Sequence, residues 1–264
     1  MSGIKLGVRS WTFRHALPNG GMSIEDLLHT VADMGLEGVE ILARHFPRFT
    51  FECARSYRKT ADSLGIKIAA YALENDFCFP DEKIREAELE NAIQWVKMAA
   101  FSDVPFLKIF TGDRDESVSY GQQRTWLAGI LRRLAVTAEA YGVIILVENH
   151  STICFSWEEL KDLVLDINHP FLRICPDVYN FSKYKAEEVV YQAARELLPY
   201  SPYGHLQFYE IDSSGKELHM DMKRLMDIYK ELKYDGFLML EWEGESDPFD
   251  ATMRQTEYIY SIIH

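Results

Sequence analysis

The most restrictive feature of this sequence is an eightfold alternation of a short apolar segment with a longer segment of helical period. The apolar segments are KLGVRSW from Lys5, GVEIL from Gly38, KIAAYAL from Lys67, FLKIF from Phe106, VIILVEN from Val143, RICPDV from Arg173, GHLQFYEI from Gly204 and GFLMLEW from Gly236. Their starts lie roughly 30 to 40 residues apart, the length that a strand, a loop, a helix and a return turn require. The alternation predicts parallel strands, because each helical crossover returns the chain in the same direction.

Eight such units predict an α/β fold in the form of a single closed (β/α)8 TIM barrel, with residues 1–264 as one domain. The chain has no linker, low-complexity stretch or domain-sized change of composition. It also lacks the G-x-G-x-x-G pattern that a dinucleotide-binding fold places after its first strand. The barrel is therefore favoured over an open, doubly wound sheet.

Polar and glycine residues predict several helix boundaries. Ser23 precedes Ile24-Glu25-Asp26 and fits an N-cap with an acidic first turn, while Ser156 with Glu159 fits a capping box. Four glycines each follow an amphipathic run and precede a strand, where a left-handed C-cap residue is expected. They are Gly35, Gly65, Gly142 and Gly236.

Composition excludes several classes of partner. The chain carries 28 Lys and Arg against 41 Asp and Glu, a net charge of -13, which opposes nucleic-acid binding because a duplex needs clustered basic groups. No run approaches the ~18 apolar residues of a membrane span. Four cysteines without a C-x-x-C pair, and an N-terminus without a signal core, favour the cytoplasm. Tyr258 and Tyr260 would permit a homo-oligomer.

Potential metal ligands end the fifth to eighth strands, where barrel enzymes carry their reacting groups. These residues are Glu148, Asp177, His205 and Glu241. Carboxylates at the ends of apolar strands need a counter-charge, and Lys108 and Arg173 are the basic candidates nearby. We therefore expect one divalent cation, and the oxygen-rich ligand set suits manganese, magnesium, cobalt or zinc.

Four motifs resemble the sugar phosphate isomerase/epimerase family of xylose isomerase-like TIM barrels. They are VENH at 147–150, CPDVYN at 175–180, GHLQ at 204–207 and LEWEG at 240–244, and the resemblance spans the whole chain. It implies that Glu148, Asp177, His205 and Glu241 are the metal ligands. Two positions depart from the pattern: Asn180 stands where many relatives carry histidine, and Phe208 where many carry aspartate.

The resemblance leaves the reaction open, because the family includes ketose 3-epimerases, inosose dehydratases, hydroxypyruvate isomerases and endonucleases of the endonuclease IV type. We expect an isomerase or epimerase of a keto-sugar or sugar derivative, in which Glu148 and Glu241 transfer the proton next to a carbonyl through an enediolate. The alternative is an inosose-type dehydratase using the same metal site. A phosphodiesterase or a non-catalytic sugar-binding barrel ranks below both, because of the acidic charge and the intact acid/base pair.

A small polyhydroxy substrate needs a ring of polar and aromatic partners. The residues expected to supply them are Trp11, Arg14, Glu74, Lys108, His150, Asn180 and Gln207. These side chains suit many sugars, so the sequence leaves the sugar and its phosphorylation open.

Overall fold

The computed structural model describes residues 3–17, 20–150, 152–184 and 187–264, and within them strands and helices alternate as predicted. The strands are β1 (Lys5–Arg9), β2 (Gly38–Leu42), β3 (Lys67–Ala72), β4 (Phe106–Phe110), β5 (Ile144–Glu148), β6 (Leu172–Cys175), β7 (Tyr203–Phe208) and β8 (Phe237–Trp242). The α-helices are α1 (Ile24–Asp33), α2 (Phe51–Ser63), α3 (Glu82–Phe101), α4 (Tyr120–Tyr141), α5 (Trp157–Ile167), α6 (Glu188–Leu197), α7 (Met222–Glu231) and α8 (Pro248–Ile263).

The eight strands form one parallel sheet that curls into a nearly closed barrel. The strand order is β6-β5-β4-β3-β2-β1-β8-β7. Its two end strands meet through a single parallel bridge between Asp177 and His205, supported by the His205 amide donating to the Pro176 carbonyl at 3.1 Å. The predicted single (β/α)8 TIM barrel is confirmed.

The polar helix starts were predicted correctly. The Ser23 side chain accepts a hydrogen bond from the Asp26 amide at the start of α1. Ser156 and Glu159 form the reciprocal capping box at the start of α5. These side chains satisfy amide donors that have no partner inside the helix.

Three of the four glycine predictions are confirmed. Gly35, Gly65 and Gly142 have φ angles of +70°, +74° and +70°. The prediction for Gly236 is wrong, because the left-handed residue after α7 is Lys233, with φ of +55°. Gly236 is needed for a different reason: a Cβ atom there would lie 2.1 Å from the Pro202 carbonyl oxygen.

The hydrophobic core has two parts. The larger one lies between the barrel and the surrounding helices. A smaller buried cluster comprises Ala69, Ala70, Leu146, Cys175, Tyr203 and Met239. Four of these residues stand two positions before the four predicted metal ligands, and residues two apart on a strand point to the same face. The smaller cluster is thus an apolar layer of the barrel interior, directly below the polar layer at the carboxyl ends of the strands.

Across the part of the chain that the structure describes, no helix is both long enough and apolar enough to cross a membrane.

Candidate active site

Three of the predicted metal ligands come together in the barrel interior. One ligand atom from each of Glu148, Asp177 and His205 lies within 4.8 Å of the others, and all three residues are fully buried. Asn149 fixes the backbone of Asp177 by accepting from its amide at 2.8 Å and donating to its carbonyl at 2.9 Å. These three residues could hold a metal ion. Glu241, the fourth predicted ligand, lies outside this group.

Arg9 joins the buried carboxylates around the three ligands. Its Nε lies 2.7 Å from Glu40 Oε1 and one terminal nitrogen lies 2.5 Å from Glu241 Oε2. The same nitrogen is 3.9 Å from Glu148 Oε1, and Lys108 Nζ lies 2.7 Å from Glu148 Oε2. The interior charged cluster comprises Arg9, Glu40, Lys108, Glu148, Asp177, His205 and Glu241. Contacts of 2.5–3.9 Å join six of these residues, and Asp177 lies beside them in the ligand group.

The source of neutralising charge was only partly predicted. Lys108 belongs to the cluster as expected, but Arg173 instead donates to the carbonyls of His169 and Leu172 near the start of β6. The missed cation is Arg9, which ends β1 and lies directly opposite Glu40 in the β1–β2 register. An arginine and a glutamate on neighbouring, otherwise apolar strands were the available signal, since each needs a partner when buried.

The electrostatics of the cluster favour the carboxylate form of Glu148 but not that of Asp177. Burial opposes ionisation of Glu148, but Lys108, His205 and Arg9 hold the pKa of that carboxyl well below its usual value. Burial, followed by the charges of Glu241 and Glu148, raises the pKa of Asp177 to about 8. Its buried Oδ2 atom has no hydrogen-bond partner among the described residues. The negative charge of the cluster is thus least balanced at Asp177.

The charge balance of the cluster fits a divalent cation. Its four carboxylates, Glu40, Glu148, Asp177 and Glu241, face two permanent cations, Arg9 and Lys108. In the state that a metal ion would require, with all four carboxylates ionised and His205 neutral, two negative charges are in excess. The open oxygen of Asp177 and this excess are the features expected of a site that holds one doubly charged ion.

A cavity of about 200 Å³ opens above the cluster at the carboxyl ends of the strands. Its lining comprises Arg9, Trp11, Leu42, Glu74, Phe110, His150, Gln207, Glu241 and Glu243. Four predicted substrate contacts, Trp11, Glu74, His150 and Gln207, are among them. The His150 ring stacks on Phe110 with centroids 4.2 Å apart, and Trp11 Nε1 donates to Glu243 at 2.7 Å. The cavity thus combines aromatic faces with polar groups, as a sugar requires.

The other three predicted substrate contacts do not line this cavity. Arg14 pairs with Glu243 at 3.1 Å, and Lys108 lies buried against Glu148 and over the Phe110 ring. Asn180 is buried, and its side-chain amide has no hydrogen-bond partner among the described residues.

Fold and site together define a (β/α)8 barrel protein with a carboxylate-rich interior that could hold a metal ion beneath a small polar cavity. The chain belongs to the xylose isomerase-like TIM barrel family, whose model matches residues 28–262.

Comparison with known proteins gives relatives of several activities. An L-ribulose 3-epimerase structure superposes with a TM-score of 0.83 at 15% identity, over 98% of this chain and 94% of that one. The structure of the probable 3-DHS dehydratase involved in petrobactin synthesis, from Bacillus anthracis, superposes with a TM-score of 0.78 at 16% identity. This match covers 97% of this chain and 98% of that one. The C-glycoside deglycosidase alpha subunit of Arthrobacter globiformis is 36% identical over 67 residues, 23% of this chain. That stretch spans 19% of the curated relative. The two structural likenesses show a shared fold.

Proposed function

We propose that the protein is a divalent-metal-dependent isomerase or epimerase of a keto-sugar or sugar derivative. The observation that carries the proposal is the convergence of Glu148, Asp177 and His205 below a cavity that Glu241 lines. The epimerase among the structural neighbours supports it, because a related fold already accommodates this chemistry.

Glu148, Asp177 and His205 would hold the metal ion, with Glu241 as the predicted fourth ligand. The unpartnered oxygen of Asp177 and the excess negative charge support this assignment. Manganese, magnesium, cobalt and zinc all accept such ligands. When bound, the ion supplies Lewis-acid stabilisation of the negative charge that develops on a substrate carbonyl oxygen.

Glu241 and Glu148 would move the proton next to that carbonyl. Glu241 faces the cavity, and Arg9 at 2.5 Å and Gln207 at 3.4 Å hold its Oε2 atom in place. Glu148 Oε1 lies 3.9 Å from the same terminal nitrogen of Arg9. Proton removal by one carboxylate and return by the other on the opposite face would invert the carbon. Return to the neighbouring carbon would give isomerisation.

The test is proton NMR of a panel of neutral and phosphorylated keto-sugars in deuterated water with the metal-loaded protein. We expect deuterium to replace the hydrogen next to the carbonyl of the true substrate without loss of water. Chelation should abolish the exchange and addition of a divalent ion should restore it. Full activity after exhaustive metal removal would overturn the metal dependence, and absence of exchange in every sugar would overturn the isomerase assignment.

Dehydration of a keto-inositol or a related compound is the second candidate, because the same metal site would serve it and a dehydratase shares the fold. Loss of a β-hydroxyl in the same NMR experiment would favour it. Phosphodiester cleavage and sugar binding without catalysis rank lower, and an abasic-site nicking assay tests the former. We also propose a cytoplasmic protein of one domain.

A further inference from the structure

Glu40 connects three buried donors beneath the predicted metal ligands. Its Oε1 atom accepts from Arg9 Nε at 2.7 Å. Its Oε2 atom accepts from the Tyr203 hydroxyl at 2.8 Å and lies 2.9 Å from His205 Nε2. Glu40, Tyr203 and His205 show no exposed surface. Both carboxylate oxygens of Glu40 therefore already have a hydrogen-bond partner, and Glu40 is not part of the ligand group formed by Glu148, Asp177 and His205.

Strand alternation places Glu40 in the barrel interior. Its β2 neighbours Val39 and Ile41 pack into the core between the barrel and the helices, so the side chain between them points to the opposite face of the sheet. β2 and β7 are three strands apart around the ring. The Glu40 side chain thus crosses the barrel interior to reach His205.

The contact with Glu40 decides which nitrogen of His205 is free. Both ring nitrogens face carboxylates, which only accept hydrogen bonds: Nε2 lies 2.9 Å from Glu40 and Nδ1 lies 3.3 Å from Glu148. The single proton of a neutral ring belongs to the shorter contact, so Nε2 donates to Glu40. In a neutral imidazole the lone pair then belongs to Nδ1. Nδ1 lies 3.3 Å from Glu148 Oε1, on the side of the ligand cluster. Nδ1 is therefore the nitrogen of a neutral His205 that would be available to a metal ion.

We propose that Glu40 is a positioning residue that orients His205, so that His205 presents Nδ1 to the metal ion. The proposal rests on the metal centre of the proposed function and extends it to a residue outside the ligand set. Partners of this kind fix the tautomer and the ring orientation of a metal-binding histidine, and their loss typically weakens metal binding about 10- to 100-fold. Tyr203 and Arg9 hold Glu40 in the orientation that this requires.

The first experiment identifies the ligand nitrogen in the unmutated protein. The chain is labelled with ¹⁵N-histidine and loaded with ¹¹³Cd²⁺ alone, and His205 is assigned from the signals missing in His205→Gln. We expect a one-bond cadmium–nitrogen coupling at Nδ1 and a retained proton on Nε2. Coupling at Nε2 would overturn the positioning role, and this result does not depend on any Glu40 variant folding.

The second experiment measures Mn²⁺ affinity by titration calorimetry. Glu40→Gln, which keeps the shape of the side chain, should bind Mn²⁺ about 10- to 100-fold more weakly. The matched control is Glu217→Gln, because Glu217 is also a buried carboxylate but accepts from the amides of Tyr209 and His219. It should retain the original affinity.

The outcomes separate this role from the function on which it rests. A purely structural role for Glu40 would lower the unfolding temperature of Glu40→Gln yet leave the affinity of the folded protein unchanged, and that result would overturn the positioning role alone. Failure of the unmutated protein to bind either ion would overturn the metal centre and the positioning role together.

Discussion

Replacement of Arg9 by methionine tests whether the interior charged cluster is held together by its buried guanidinium. Methionine keeps most of the aliphatic stem but removes the partner of Glu40 and Glu241, both of which are almost fully buried. Removing one member of a buried ion pair typically costs about 3–5 kcal/mol, because the remaining charge stays desolvated. For a chain of this size, 1 kcal/mol corresponds to roughly 2–4 °C. We therefore expect the metal-free variant to unfold about 10 °C lower.

The assay is differential scanning calorimetry in the presence of a chelator, with Arg133→Met as the control. Arg133 pairs with Glu86 through two contacts, but both side chains are about half exposed, and such pairs contribute about 0–1 kcal/mol. If Arg9→Met and Arg133→Met lower the unfolding temperature equally, the reasoning about buried charge is refuted.

A divalent cation should partly replace the missing guanidinium charge. Removing Arg9 increases the excess of negative charge in the cluster, so Mn²⁺ should raise the unfolding temperature of Arg9→Met more than that of the unmutated protein. An ion present at 100 times its dissociation constant stabilises a folded protein by about 2.7 kcal/mol, which calorimetry resolves easily. An equal rise in both proteins would show that Arg9 does not act as the counter-charge.

Three further predictions concern turnover, packing and pH. Glu241→Gln, compared with the unmutated protein at equal metal content, should lower turnover about 10²- to 10⁴-fold with an unchanged circular dichroism spectrum, and retained turnover would remove Glu241 from proton transfer. Gly236→Ala should destabilise the protein by about 1–3 kcal/mol in urea unfolding, because the new Cβ would lie 2.1 Å from the Pro202 oxygen. The control is Gly129→Ala in the interior of α4, where the new Cβ would have no atom within 4 Å apart from its own helix backbone. This variant should stabilise the protein by about 0.5–1 kcal/mol. Equal changes in the free energy of unfolding for the two variants would contradict the packing argument. Burial lowers the pKa of His45 to about 4, below its usual 6.5. As the pH is lowered, His45 therefore takes up its proton in the unfolded chain before it does so in the folded protein. The free energy of unfolding should fall by at most about 3 kcal/mol between pH 6.5 and about pH 4, and it should stay constant below that. His45→Gln should flatten this part of the pH curve, and an unchanged slope would show that another group is responsible.

The barrel was predictable because its evidence is local and repeated. A run such as VIILV, short and rich in β-branched residues, is typical of a strand buried on both faces. The Ser156 cap and the glycine after α4 mark helix boundaries within a few residues of themselves. The predicted metal ligands on β5 to β8 could be selected because parallel strands in a barrel present their carboxyl ends, and the reacting groups there, on one side. Gly236 was misread because two different needs, a left-handed turn and a close backbone approach, select the same residue.

The sequence by itself determined the order of strands and helices and which side chains stand at the strand ends, since hydrophobic period and capping act over a few residues. Only the tertiary structure decided which buried charges are partners. Curling of the sheet brings β7 across the interior from β2, strand alternation turns Glu40 inward, and Arg9 then lies between carboxylates from three different strands. Such partnerships depend on distances across the barrel interior. Electrostatic interactions there are strong because water is excluded from the interior and the local dielectric constant is low.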